Sequence, residues 1–488
     1  MTLNGSGQYE SFDAIVIGGG PAGSSAAYKL ASEGRSVLLL EKANFPRFHI
    51  GESMVPYLSR LLEMMGVSEK VQEAHFVRKS GVEFFATHND DLRRQNFSNL
   101  AEGQSKRTYN LNRARFDKVL LDHARDTGAK VLQQADVKKI LFDGERVAGV
   151  EYQYQGQRHE ARAPYVVDAS GRAGLISKHF NHRIMNHKLE NVAVYQHFTD
   201  VVPENNPGVQ GDVIFSSHKE GWLWGIPIEA DVFSVGAVMP LSLLKQSNPK
   251  DMFKKHTDRA PRIKQAIEGA TPTFENPKVE LDFCYYTEQF AGPGYFMVGD
   301  AACFVDPLFS GGVFLSMTCG MKAAEAILDI SKGKDEQEAY KHFDNFCKTG
   351  YDSYFRVVYA FYYEFDRDMN RMGLELPGGF RFVLQTFAGD FWADQDQPVM
   401  EYLRSKEEWA TFKKPFDMVY DCPIYPDNHY RAADLANLTP VDDFLQSLPT
   451  DAKVEDKVLV GVGSRQSGIG SFGKNFSQGL INLFGFVK

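Results

Sequence analysis

Residues Phe12 to Lys42 read FDAIVIGGGPAGSSAAYKLASEGRSVLLLEK, and the fold turns on how this stretch is parsed. An apolar run of β type, Ala14 to Ile17, stops at three glycines and gives way to an alanine-rich segment, which predicts strand, tight turn and helix. Gly18, Gly20 and Gly23 satisfy the pattern G-x-G-x-x-G. The first permits the turn, the second lets a pyrophosphate reach the backbone, and the third lets helix and strand pack closely. The pyrophosphate is expected on the helix N-terminus at Pro21 and Ala22, where unpaired N–H groups and the helix dipole favour an anion. A second apolar run, SVLLLEK, places Glu41, with Lys42 beside it, 18 residues beyond Gly23. There a carboxylate can accept hydrogen bonds from the ribose hydroxyls of an adenosine. Strand, glycines, helix, strand and acid in this order predict a dinucleotide site, because a ligand-free glycine turn has no use for Glu41.

The remainder of the chain limits what that site serves. Its 488 residues are 43% hydrophobic and 24% charged, as in an ordinary globular protein. With 54 basic against 63 acidic residues the formal charge is −9, and no run of Lys and Arg is long enough to track a phosphate backbone, so no nucleic-acid partner is expected. Five scattered cysteines without a CxxC pair argue against a disulfide framework and a zinc site, and fit a reducing cytoplasm. His182 and His187 stand five apart with no acid in support, so no metal is expected. The N-terminus has neither the basic nor the apolar region of a secretory signal, and no apolar run has the length of a spanning helix, so no membrane partner is expected. The apolar end GLINLFGFVK suits docking on the protein itself, on a partner or on a membrane surface, of which the first is expected.

Three further stretches resemble signatures of the large FAD-dependent monooxygenase-like family. GPGYFMVGDAACFVDPLFSGGVFLSMTCGMKAAEAIL, from Gly292, carries Gly299-Asp300, whose aspartate in that family binds the ribityl chain. YVVDASGRAG places Asp168 and Gly171 at the positions of the family's middle signature, and LNRARFDKVLLDHA supplies Arg113 for the flavin's polar chain. The resemblance implies FAD in an α/β, Rossmann-like domain of glutathione-reductase type, formed by residues 1–175 and 290–335. It also implies an inserted antiparallel β-rich substrate-side region at 175–290. A C-terminal helical region is expected at 335–440, its Tyr and Phe stripes being core, and a polar glycine-rich tail at 440–488. No second glycine fingerprint is present, so reducing equivalents are expected as reduced FAD from a separate reductase or from a transient nicotinamide.

Within this superfamily the fold cannot select the chemistry. FPRFHIGESMVPYL resembles the FAD-contacting segment of flavin-dependent halogenases, with Arg47 and Ile50 at contacting positions. HFVRKSGVEFF places Lys79 where those enzymes keep an essential lysine, although a lysine beside Arg78 read alone is a solvated loop residue. GWLWGIP matches their W-x-W-x-I-P signature in full, and strand alternation puts Trp222 and Trp224 on one face. In PLFSGGVF, Ser310, Gly311 and Gly312, followed by Val313, match the family's halide and flavin contacts; the glycines also suit a helix passing close to the flavin. Phe309 stands where tryptophan-type halogenases carry a glutamate, which resembles the branch acting on phenols and pyrroles, in some cases on a carrier protein.

The resemblance implies that reduced FAD, O₂ and chloride or bromide give hypohalous acid. This passes to Lys79, as a haloamine or by hydrogen bonding, for electrophilic halogenation of an aromatic substrate. Trp222 and Trp224 would hold that substrate off the flavin. The alternative is a flavin monooxygenase that hydroxylates an aromatic ring. An isoprenoid reductase would require neither Lys79 nor the tryptophans, and a non-catalytic flavin binder would show no oxygen-dependent turnover.

Overall fold

The computed structural model describes residues 10–86, 91–97, 108–202, 205, 211–281, 284–363, 385–392, 398–419, 422 and 424. The expected tail at 440–488 lies outside them. Ala14–Ile17 forms a strand that is buried throughout and pairs in parallel with Val37–Glu41 on one side and Tyr165–Asp168 on the other. Lys130–Gln133 extends the sheet past Val37–Glu41, and Tyr295–Met297 extends it past Tyr165–Asp168. Near-continuous apolar runs are what a parallel sheet covered on both faces demands. The expected strand-turn-helix is present: Gly18 turns at φ +102°, and the helix Pro21–Ser32 starts on a proline, whose missing N–H costs nothing at that position.

A second sheet runs in the order Thr271–Pro272, Asn191–Thr199, Phe233–Pro240, Gly221–Pro227, Val213–His218, Gly81–Ala86, Asp91–Asn96. This departs from the expected insert in two respects. Its last two strands come from before residue 175, so the sheet is assembled from two parts of the chain. The junction between Val213–His218 and Gly81–Ala86 is parallel, whereas the neighbouring pairs are antiparallel. The region 175–290 is also not purely β, because the helices Pro249–Asp258 and Pro261–Ala266 pack a separate apolar cluster with Ile214, Leu223, Phe233 and Val235 of the sheet.

Two helices connect these parts to the site. The helix Gly312–Ser331 lies along Pro21–Ser32, and the two pass tightly at Gly320, where a Cβ would stand 2.3 Å from the carbonyl oxygen of Ala22. Beyond it the 28-residue helix Glu336–Tyr363 turns Tyr351, Tyr354, Phe355 and Phe361 into the core, as expected of that aromatic stripe. All five cysteines are buried free thiols. Gly320→Ala must force the two helices apart, at a cost of about 1–3 kcal/mol. A melting temperature lowered by several degrees, with faster loss of bound flavin, is expected in differential scanning; an unchanged melt would contradict this packing.

Candidate active site

The two sheets enclose one cavity of about 580 Å³, within the range of small-molecule and cofactor sites. Gly18, Gly20, Pro21 and Ala22 line one end. A Cβ on Gly20 would meet only the Arg47 guanidinium, at 3.5 Å, so the backbone there is open to a close-lying phosphate. Gly23 faces the other way: a Cβ would stand 1.9 Å from Gly18 O, the tight helix-to-strand approach that its place in the fingerprint predicts. The Glu41 carboxylate reaches the cavity, fixed by the backbone N–H groups of Gly19 (2.6 Å) and Ala43 (2.7 Å), and Lys42 lies beside it.

Arg113 reaches the cavity from the start of the helix Arg113–Asp126, held by two hydrogen bonds to Asp117 (2.8 and 3.0 Å) and by the carbonyl oxygen of Ile50 (2.8 Å). Arg47 pairs with the same carboxylate at 2.9 Å. Burial pushes the Asp117 carboxyl up, but Arg113 and Arg47 outweigh burial and hold it below the usual range. Asp300 lines the cavity, its carboxyl raised to about 6 by burial against the pull of nearby arginines. An open glycine backbone, a fixed ribose-length acid, two arginines and a recessed aspartate form a donor and acceptor set that fits FAD.

Asp168 and Gly299 lie one layer behind this surface. Asp168 is fully buried and accepts from the N–H groups of Ser170 (3.0 Å) and Ile176 (2.7 Å), so it shapes the turn whose Ala169, Ser170 and Gly171 do line the cavity. Gly299, at φ +56°, makes the bend that presents Asp300.

Lys79 lies in the other half of the cavity, and it is not a solvated loop residue. It ends the strand Val77–Lys79, is 3% exposed, and donates to Ser53 Oγ (2.9 Å) and the carbonyl oxygen of Met54 (3.1 Å), with Phe97 under its ammonium at 5.3 Å. Burial pulls its pKa down to about 7, opposed by the charge of Asp212, which is itself tied to Arg94 at 2.6 Å. Trp222 and Trp224 project from Gly221–Pro227 into the same cavity with ring centroids 6.0 Å apart. Trp224 lies flat over the neighbouring strand, because a Cβ on Gly236 would fall 2.1 Å from its ring. Trp224 donates to Ser234 Oγ at 3.2 Å and Trp222 to Tyr362 Oη at 2.7 Å.

Phe309, Ser310, Gly312 and Val313 also line the cavity, at the N-terminus of Gly312–Ser331. Phe309 and Ser310 take φ of +63° and +61°, so this turn is strained. Gly311 faces away from the cavity, where a Cβ would meet the rings of Phe391 and Tyr354 at 2.7 and 3.0 Å. Asp117, Ser53, Asp306 and Tyr362 belong to the site without being among the expected site residues. Ser53 and Asp117 do fall in the family-like segments FPRFHIGESMVPYL and LNRARFDKVLLDHA, and Asp117 also has i, i+4 spacing from Arg113.

Asp117→Ala would leave the Arg113 charge buried without its partner, costing about 3–5 kcal/mol. Weaker FAD binding by fluorescence titration and a lower melting temperature are the expected results, and undiminished affinity would contradict the network.

Comparison with known proteins places this cavity in a family context. The family of FAD binding domains matches residues 11–349. A tryptophan 2-halogenase of Chondromyces crocatus is 32% identical over 370 residues, 72% of this chain and 67% of that protein. A 1H-pyrrole-2-carbonyl-[peptidyl-carrier protein] brominase of Pseudoalteromonas luteoviolacea is 31% identical over 348 residues, 69% of this chain and 83% of its own. The solved structure of the myxobacterial chondrochloren halogenase CndH superimposes with a TM-score of 0.69 at 33% identity, covering 72% of this chain and 83% of that one. Among the described residues no helix is long and apolar enough to cross a membrane.

Proposed function

The chain belongs to the flavin-dependent halogenases, and on that premise we propose that it halogenates an electron-rich aromatic ring, phenolic or pyrrolic, held beside Lys79. The observation that carries this reading is the burial of Lys79 in the cavity that also holds the dinucleotide fingerprint, with both indoles of the tryptophan pair facing the same space. When bound, reduced FAD supplies the electrons with which O₂ and chloride or bromide become hypohalous acid. Gly18, Gly20, Pro21, Ala22, Glu41, Lys42, Arg47, Ile50, Arg113, Asp300, Gly312 and Val313 line the cavity and would hold the cofactor. Gly23, Asp168 and Gly299 would set the backbone around it.

The halide would lie at Ser310 to Gly312, where the N–H groups that open the helix Gly312–Ser331 suit an anion. Lys79, with a pKa near neutrality, can accept the halogen on its free amine or hydrogen-bond the oxidant as an ammonium. Its contacts with Ser53 and Met54 keep Nζ in place while either occurs. Trp222 and Trp224 would separate the substrate from the flavin. We assign the reduced flavin to a separate reductase, since the sequence holds one glycine fingerprint. The carrier-bound substrate named for the pyrrole brominase relative makes a tethered substrate a specific option for this chain as well. Five buried free thiols accord with the reducing cytoplasm.

The test is Lys79→Ala, assayed with FAD, a flavin reductase, bromide and phenolic probes. FAD binding and consumption of reduced flavin should persist while brominated product falls at least about 100-fold, the scale on which losing one essential group acts. Product formation at the wild-type rate would remove Lys79 from the mechanism.

A further inference from the structure

We propose that Asp306 is a catalytic base of this site, taking the hydroxyl proton of a phenolic substrate as the ring is halogenated. The proposal rests on the halogenase reading and names the substrate class that the pocket activates. Asp306 lines the cavity and is 1% exposed. Its oxygens accept from Leu308 N (3.0 Å), Asn191 Nδ2 (3.4 Å) and Tyr362 Oη (3.2 and 3.1 Å). A carboxylate offers roughly four lone-pair sites, so three donors from the chain leave about one for a donor in the cavity.

The surroundings select an aromatic donor. Phe309 packs on Phe387 at 4.7 Å, Phe387 on Phe84 at 5.8 Å, and Phe84 continues through Phe215 to Trp222. These rings line the same cavity as Asp306. Trp222 donates to the Tyr362 hydroxyl, which in turn donates to Asp306, so one of the two signature indoles fixes the orientation of this carboxylate. Among the described residues the titratable groups facing Asp306 are Tyr362, Tyr354, whose hydroxyl donates to the Asp306 backbone oxygen at 3.0 Å, and Cys284; burial raises the pKa of Tyr354 and Cys284 and keeps both neutral near pH 7. Among the described residues no lysine or arginine pairs with it, and burial raises its carboxyl to about 7, which suits a base working at neutral pH. Phe309, three residues further along the chain, lines the same cavity as Asp306.

The step balances as follows. A ring carbon bonds to the halogen of hypohalous acid, or of the Lys79 haloamine. The halogen–oxygen or halogen–nitrogen bond breaks, and its electron pair stays on oxygen or nitrogen. The phenolic proton passes to Asp306. Loss of the ring C–H proton to that departing base and return of the Asp306 proton to the substrate oxygen restore the phenol, giving halophenol and water or free amine.

The test compares wild type, Asp306→Asn and Tyr362→Phe on resorcinol, 1,3-dimethoxybenzene and 4-nitrophenol at mildly alkaline pH. Protonation of Lys79 is common to all three probes and cancels in their ratios. Asp306→Asn should slow resorcinol about 100-fold while keeping FAD, and should slow 4-nitrophenol, already ionised, only several-fold. 1,3-Dimethoxybenzene, with no proton to give, should likewise be almost unaffected by the substitution. Tyr362→Phe removes a donor to the anion, so the midpoint of the kcat/KM rise with pH on resorcinol should move upward. An equal loss on all three probes is what a structural role gives, and it would overturn the proposal, as would an unaffected resorcinol rate. If Asp306→Asn fails to retain FAD, the Tyr362→Phe profile decides, and an unmoved midpoint overturns it. A wild type that halogenates none of the probes would instead remove the halogenase reading beneath it.

Discussion

Gly320 and the Ala22 carbonyl oxygen come so close that no side chain fits between them, and most of the site follows from that contact. It holds the helices Pro21–Ser32 and Gly312–Ser331 side by side with both N-termini opening onto one cavity. Each N-terminus offers unpaired N–H groups that would suit an anion: around Gly20 and Ala22 the proposed pyrophosphate, at Gly312 the proposed halide. The distance between the two helix N-termini is therefore a property of helix packing rather than of any loop. Glu41, Arg113 and Asp300 line the same cavity.

The other half of the cavity is governed by desolvation. Lys79 and Asp306 are both buried, and among the described residues neither is neutralised by an opposite charge in direct contact. Burial therefore moves the ammonium down and the carboxyl up, each to about 7. Such groups are costly to fold around, by several kcal/mol for each ion. The chain accepts that cost with neutral hydrogen bonds, Ser53 and Met54 for the lysine, and Tyr362, Asn191 and Leu308 for the aspartate. A matched ion partner in either place would have restored ordinary acidity and removed the reactivity.

The fold was legible because its signals are local. The glycine fingerprint, the apolar runs and Glu41 lie within one continuous stretch, and their geometry is fixed by backbone sterics. The tryptophan pair was legible for the same reason, through strand alternation. Long-range assembly was not. Nothing near Gly81–Ala86 announces that it will join strands from beyond residue 210, because that pairing depends on registry between distant segments. The burial of Lys79 depends on Ser53, Met54 and Phe97, which its own neighbourhood does not contain. The segments holding Asp168 and Gly311 line the cavity, yet the side-chain positions of these two residues face inward, one to brace a turn and one to pass aromatic rings. Asp306 was passed over because its partners, Asn191 and Tyr362, are more than fifty residues away on either side.

The central claim is that this cavity directs flavin-derived oxidant to a halide and then to an aromatic ring, rather than to the ring directly. The most direct measurement is the mass spectrum of a phenolic probe incubated with the protein, FAD, a flavin reductase and bromide, with a parallel reaction lacking halide. The account predicts a product carrying the two-isotope bromine doublet, formed only when bromide is present. A product that gains one oxygen atom, at the same rate with or without halide, would contradict it.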